Sequence, residues 1–261
     1  MAFVGLATPL SKDGFAAAAS EVNTDPIALW AVVTVETSGR GFLPDRQPHI
    51  LFERHIFSKR TGGRFDASHP QISAPRPGGY GKAGSHQHER LTLAMTAHRQ
   101  AALESASWGL GQVMGFNAVM AGFRNVEEMI AAMTRSEDAQ IMAMMIFLKR
   151  TKIHEALERC DWAAFARAYN GPSFAKNRYD AKLADAHKRF SASGLPDMDA
   201  RAVQLLLVYH GFDPGLIDGV PGVKTRSAIA AFCAKHGRDV PLAADRDLRQ
   251  MLADALPSRG S

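Results

Sequence analysis

The sequence predicts a mainly α protein, with a large helical N-terminal domain that carries a loop-rich or small-hairpin segment and a small three-helix unit behind it. Three observations lead there. Apolar residues recur at three- and four-residue intervals in most of the long segments, the mark of helices that bury one face. Between the second and third helical patterns lies a Gly- and Pro-rich region with a single short apolar run, residues 49–52, which reads as loop with a small hairpin or short helix. Then Gly194-Leu195-Pro196 breaks the helical pattern, setting domains at residues 1–193 and 197–261. With 261 residues and 46% hydrophobic content, the chain can enclose one substantial core and a second, smaller one.

Residues 11–20 read as a short first helix. The next helix has its own signals: Thr24 and Asp25 offer side-chain caps, Pro26 suits a first turn where a missing N–H costs nothing, and Gly39 and Gly41 stop the helix. Residues 44–85 hold Gly62-Gly63, Pro70, Pro75, Pro77, Gly78-Gly79, Gly81 and Gly84, a composition that suits a loop walling one side of a cleft. A helix resumes over 88–104. Residues 108–121 are apolar and punctuated by glycine, which predicts a buried turn followed by a helix. Helices over 125–133, 136–149 and 161–169 complete the set. The middle one (Ile141, Met142, Met144, Met145, Ile146, Leu148) is apolar nearly all round, as a central helix would be. Residues 179–191 form a final amphipathic helix. Beyond the break, helices are expected over 199–209, 224–235 and 243–256, with a turn-rich loop at 211–222.

The most informative stretch is Trp30-Ala31-Val32-Val33-Thr34-Val35-Glu36-Thr37-Ser38-Gly39. Glu36 follows Val33 by three residues and Val32 by four, so it shares a helix face with apolar side chains. Desolvation there disfavours the charged carboxylate and raises its pKa. A carboxyl group that stays protonated near neutrality meets the requirement for a general acid. Taken alone, a Glu at a helix end is more often a solvated surface group.

The formal net charge is +5, and all of it lies in the first 196 residues, because the remainder carries eight basic and eight acidic groups. A basic excess points to polyanionic surroundings or to a simple solvated surface. The group Lys149, Arg150, Lys152 and Arg159 reads as a solvated helix end, with weak contact to anionic membrane or acidic wall polymers as the alternative. The neutral C-terminal unit argues against a DNA-binding helix-turn-helix. The start of the chain lacks the basic region of a secretory signal, and no apolar run is long enough to span a bilayer. Cys160 and Cys233 stand far apart in helical patterns, which predicts packed, reduced thiols and a cytoplasmic origin. His86, His88 and His98 lack zinc-ligand spacing, so no metal or other cofactor is expected.

Four segments in order carry a resemblance. Val35-Glu36-Thr37-Ser38-Gly39-Arg40-Gly41-Phe42, Ile50-Leu51-Phe52-Glu53-Arg54-His55, Ala106-Ser107-Trp108-Gly109-Leu110-Gly111-Gln112-Val113-Met114-Gly115 and Ala168-Tyr169-Asn170-Gly171 look like the N-acetylmuramidase domain of bacteriophage endolysins, within the lysozyme superfamily. The C-terminal part, with Ala202-Val203-Gln204-Leu205-Leu206-Leu207, Ile217-Asp218-Gly219-Val220-Pro221-Gly222 and Thr225-Arg226, is similar to the three-helix peptidoglycan-binding domain, except that Cys233 stands where Gln is usual.

The resemblance implies a lysozyme-like catalytic domain that cleaves the glycan strand of peptidoglycan. Glu36 would be the general acid and Glu53 the second carboxylate, activating water or stabilising oxocarbenium charge; a structural pairing of Glu53 with Arg54 or another cation is the alternative. Ser107, Gln112, Tyr169 and Asn170 would bind substrate, with Gly109 and Gly111 bringing backbone close to it. Asp218, Gly219, Thr225 and Arg226 would serve wall binding. The implied protein is a monomer, held in the host cytoplasm until release to the periplasmic wall, with peptidoglycan and not nucleic acid as its partner. A lytic transglycosylase and a non-catalytic wall-binding protein remain as alternatives.

Overall fold

The computed structural model of the protein describes residues 3–257 apart from 38, 172 and 173. It is mainly helical. Helix α1 (Lys12–Glu21) begins where Ser11 Oγ accepts a hydrogen bond from Gly14 N, and α2 (Pro26–Thr37) begins where Asp25 Oδ1 accepts from Ile27 N at 3.0 Å. Thr24 is buried and makes no such cap. Strand β1 (Ile50–Phe52) and helix α3 (Arg54–Arg60) follow, then α4 (Ser85–Glu104), which breaks at His98 (φ −160°, ψ 94°). His98 Nδ1 there accepts from Ala101 N at 3.2 Å, so the imidazole caps the second half of the helix.

Residues 106–117 depart from the expected turn and helix. Strands β2 (Ala106–Trp108) and β3 (Val113–Met114) form a hairpin, and only a single 3-10 turn, Gly115–Asn117, follows. β1 pairs antiparallel with β2, setting Ile50 opposite Trp108 and Phe52 opposite Ala106, so the sheet runs β1-β2-β3. The glycines that read as a buried turn do make one, with Gly109 at φ +70°. What local pattern does not reveal is the pairing partner, which comes from far upstream.

Helices α5 (Val126–Met133) and α6 (Glu137–Arg150) start on the side-chain caps Asn125 and Ser136. The short α7 (His154–Glu158), absent from the sequence expectation, precedes α8 (Trp162–Asn170), which Asp161 caps. A further 3-10 turn, Phe174–Asn177, leads to α9 (Tyr179–Ser193). The main core gathers around α6, whose Ile141, Met144, Met145 and Leu148 are fully buried, together with Trp108 of the sheet. α1 packs on α6, and α2 and α8 both pack on α9. Helices α10 (Met198–Tyr209), α11 (Val223–Lys235) and α12 (Arg246–Asp254) enclose a second cluster of Val203, Leu207, Ile229, Phe232, Cys233, Leu248 and Leu252. Cys160 and Cys233 are free thiols. Among the described residues, no helix is long and apolar enough to cross a membrane.

Candidate active site

Helix α2 is apolar and sunk in the core along most of its length, and it delivers Glu36 to its last turn. Glu36 is half-buried as a residue, but its carboxyl end is deeply packed. Burial lifts its pKa from 4.5 to about 7, against the opposing pull of a hydrogen bond from Asn170. Asn170 Nδ2 donates to Glu36 Oε1 at 3.0 Å, while Asn170 Oδ1 is buried without a partner. Tyr169 lies within electrostatic reach of Glu36; burial first, and that charge second, push its phenol well above the usual range. Of the resemblance segments, Ser38 lies outside the described residues.

Tyr169 is braced internally. Its ring stacks on Phe165 at 5.4 Å and meets Phe147 edge-on at 6.0 Å, and its hydroxyl donates to the carbonyl of Gly111. Ser107 and Gln112 also face each other. Ser107 Oγ donates to Gln112 Oε1 at 2.8 Å, and Gln112 Nε2 donates to Gly109 O at 2.8 Å and His49 O at 3.3 Å. These bonds lock the β2–β3 turn, with Gln112 itself at φ +51°. Gly109 and Gly111 serve packing: a Cβ would lie 2.6 Å from Gln140 Cδ and 2.7 Å from Met144 Cβ, both on α6. Their close approach is thus to the protein's own helix, not to a cleft as the sequence suggested. Thr37 Oγ1 donates to Leu110 O at 3.3 Å, so the turn, the end of α2 and the end of α8 form one connected cluster that gathers Glu36, Ser107, Gln112, Tyr169 and Asn170.

Glu53 enters from another direction. It is half-buried at the N-cap position of α3 without capping that helix. Burial raises its pKa, and a hydrogen bond from Tyr80 and the charge of Arg90 pull it back down. Glu53 Oε2 also lies 3.1 Å from His55 Nδ1. Arg54 does not pair with it; its Nε donates to Gly78 O at 2.7 Å and its Nη1 to Pro70 O at 3.1 Å.

Two residues of α4 complete the strap on this loop. Gln87 Nε2 donates to the carbonyls of Tyr80 and Lys82, each at 2.7 Å, and Arg90 Nη1 donates to Tyr80 O at 2.6 Å. Tyr80 is thereby held beside Glu53. Tyr179, at the start of α9, has its phenol pKa raised by burial first and then by the charges of Glu36 and of Tyr80, so two tyrosines bridge the surroundings of the two carboxyl groups. Sequence reasoning missed Tyr80, Arg90 and Tyr179, and no spacing in the Gly/Pro-rich loop points to the first of them.

The four C-terminal residues lie apart, around Gln204. Gln204 Oε1 accepts from Asp218 N at 3.0 Å and Gly219 N at 2.8 Å; its Nε2 donates to Asp218 Oδ1, Val220 O and Thr225 Oγ1, each at 3.3 Å. Thr225 Oγ1 in turn donates to Pro214 O at 2.8 Å, and Arg226 Nη1 to Pro221 O at 2.8 Å. Asp218, Gly219 and Thr225 therefore brace the 211–222 loop, on which Leu216 and Val220 stand exposed, beside the exposed Val223 at the start of α11.

The histidines weighed for metal binding disperse. His88 Nε2 donates to Pro48 O at 2.8 Å, His86 lies 3.4 Å from Glu89, and His98 caps within α4. Of the basic group, Lys149 pairs with Glu21 at 2.8 Å and Arg150 donates to Val119 O at 2.5 Å.

A family model described as N-acetylmuramidase matches residues 25–191. Among solved structures, the chain is similar to the crystal structure of the Burkholderia AP3 phage endolysin. That similarity stands at 36% identity and a TM-score of 0.65, over 71% of this chain and 72% of the other. No curated protein matches at a significant level.

Proposed function

The chain belongs to the N-acetylmuramidase family, and from that premise we propose that it is an endolysin which cleaves the β-1,4 bond between N-acetylmuramic acid and N-acetylglucosamine in peptidoglycan, lysing the host. Glu36 acts as the general acid. The observation that supports this role is a carboxyl group with a pKa of about 7, hydrogen-bonded by Asn170, at the end of a buried helix. Near neutral pH such a group holds a proton for the leaving glycosidic oxygen and releases it as the bond breaks.

Glu53 serves as the second carboxylate, receiving a proton from the attacking water or facing the oxocarbenium charge, with Tyr80 as its hydrogen-bond partner. Asn170 orients Glu36 and, with Ser107, Gln112 and Tyr169, bounds the sugar site. Residues 197–261 bind the wall polymer through the loop that Asp218, Gly219, Thr225 and Arg226 build. The enzyme works as a monomer, without cofactor, in the periplasm after release from the host cytoplasm.

The test is digestion of purified peptidoglycan by the parent and by Glu36→Gln, with mass spectrometry of the products. Hydrolysis gives reducing ends carrying one added water per cut, and Glu36→Gln should lose turnover by a factor of a hundred or more, on the order of general-acid contributions. Products lighter by one water would identify a lytic transglycosylase instead. Normal turnover by Glu36→Gln would remove the acid from Glu36.

A further inference from the structure

Glu137 and Arg201 take no part in this chemistry, yet their side chains form a wholly buried ion pair. Arg201 Nη1 and Nη2 donate to the two Glu137 oxygens at 2.8 and 2.9 Å. The same guanidinium reaches the chain as it leaves α2: Nε donates to Gly39 O at 2.9 Å, and Nη2 donates there as well. Glu137 continues the link, with Oε1 accepting from Gly41 N at 2.6 Å and Oε2 from Leu10 N at 2.7 Å. The guanidinium also lies 5.6 Å from the ring of Trp30, within α2. One buried pair thus grips both sides of the backbone that begins three residues after Glu36. Arg201 belongs to α10, the first helix of the C-terminal unit.

We propose that Arg201 is a positioning residue for Glu36: with Glu137 it fixes the last turn of α2, so the C-terminal unit frames the catalytic carboxyl as well as tethering the enzyme. Stability alone does not account for the pair, because a buried ion pair typically contributes no more than apolar side chains of the same volume. What the pair supplies is direction. The fork of an arginine sets both distance and angle at two acceptors, and an error of an ångström at a catalytic group is enough to slow a reaction strongly.

The inference rests on Glu36 being the general acid, and its test keeps the two apart. Full-length Arg201→Lys, which retains the charge and loses the fork, and the double variant Arg201→Met with Glu137→Met, which refills the site with apolar volume, are assayed on soluble glycan fragments that need no wall anchoring. Circular dichroism selects a temperature at which each variant is folded. The expected result is a kcat lowered about tenfold or more, KM within about twofold of the parent, and the alkaline limb of the kcat profile moved to lower pH as water reaches a loosened Glu36. Folded variants with parental kcat and an unmoved pH profile would overturn the proposal. So would a loss confined to insoluble walls, since that is the behaviour of a tether. Glu36→Gln assayed alongside reports on the acid itself: if it stays active, the reading of Glu36 fails whatever the Arg201 variants do.

Discussion

At Glu36 two effects oppose each other, and their balance sets how the protein responds to pH. Burial raises the pKa to about 7, and the Asn170 hydrogen bond lowers it. A carboxyl whose folded pKa exceeds its unfolded one weakens the fold as pH rises from about 4.5 through about 7. The shift corresponds to about 3 kcal/mol once the group is ionised. Glu36→Gln escapes that cost: its melting temperature should exceed the parent's at pH 8 and match it near pH 4, measured by calorimetry. On the proposed general-acid role of Glu36, which uses the protonated form, turnover should fall above about pH 7. Asn170→Ala removes a donor to the charged form, and should move that alkaline limb to higher pH while lowering kcat by loss of orientation. The sequence singles out Glu36 by its apolar neighbours on the same helix, but the groups around its carboxyl, Tyr169, Asn170 and Tyr179, come from the distant helices α8 and α9. Tyr80 was not legible, because its place beside Glu53 depends on Arg54, Gln87 and Arg90 binding loop carbonyls that carry no sequence signal.

Among the elements, the helices with polar caps read correctly. Ser11, Asn125, Ser136 and Asp161 each accept a backbone N–H at the expected start, since capping is a matter of neighbouring residues. The three-stranded sheet was hidden because β2 pairs at long range with β1, and the glycines of the β2–β3 turn answer to α6. Gly41 belongs to the same packing: a Cβ there would stand 1.9 Å from Gln140 Oε1. Gln140 cannot simply retreat, since it is fully buried, accepts from Leu110 N at 2.7 Å and donates to Met133 O at 2.8 Å. Gly41→Ala should therefore cost at least about 2 kcal/mol through overpacking and a broken buried hydrogen bond. Urea unfolding would show this as a lower midpoint at unchanged slope.

For the whole molecule, composition suggests a boundary at Gly194-Leu195-Pro196; the second hydrophobic cluster is drawn from residues beyond it, while Met198 of α10 joins the main core. The ion pair that joins the two parts was not evident, because Glu137 and Arg201 each look like an ordinary charge near the start of a helix. Removing one partner strands a buried charge, so Arg201→Met alone should destabilise by about 3–5 kcal/mol. The parent should unfold in a single calorimetric transition, the two parts melting together; two separated transitions would mean that the pair does not couple them. Acid should loosen the same region. His49, whose pKa is lowered to about 4 by burial and then by the charges of Arg40 and His88, and His88, lowered by burial, both resist protonation. For His49 the stability this gives is present above about 6.5 and is lost as pH falls through about 4, and His88 acts in the same direction.

The amide of Gln204 has a consequence for adaptation. Because the loop it holds is shaped from the inside, the side chains at 216, 220 and 223 are free of any part in keeping that shape. They amount to interchangeable tiles on a fixed mount: if the proposed wall binding runs through this loop, exchanging them should retune which polymer is favoured, with folding left untouched.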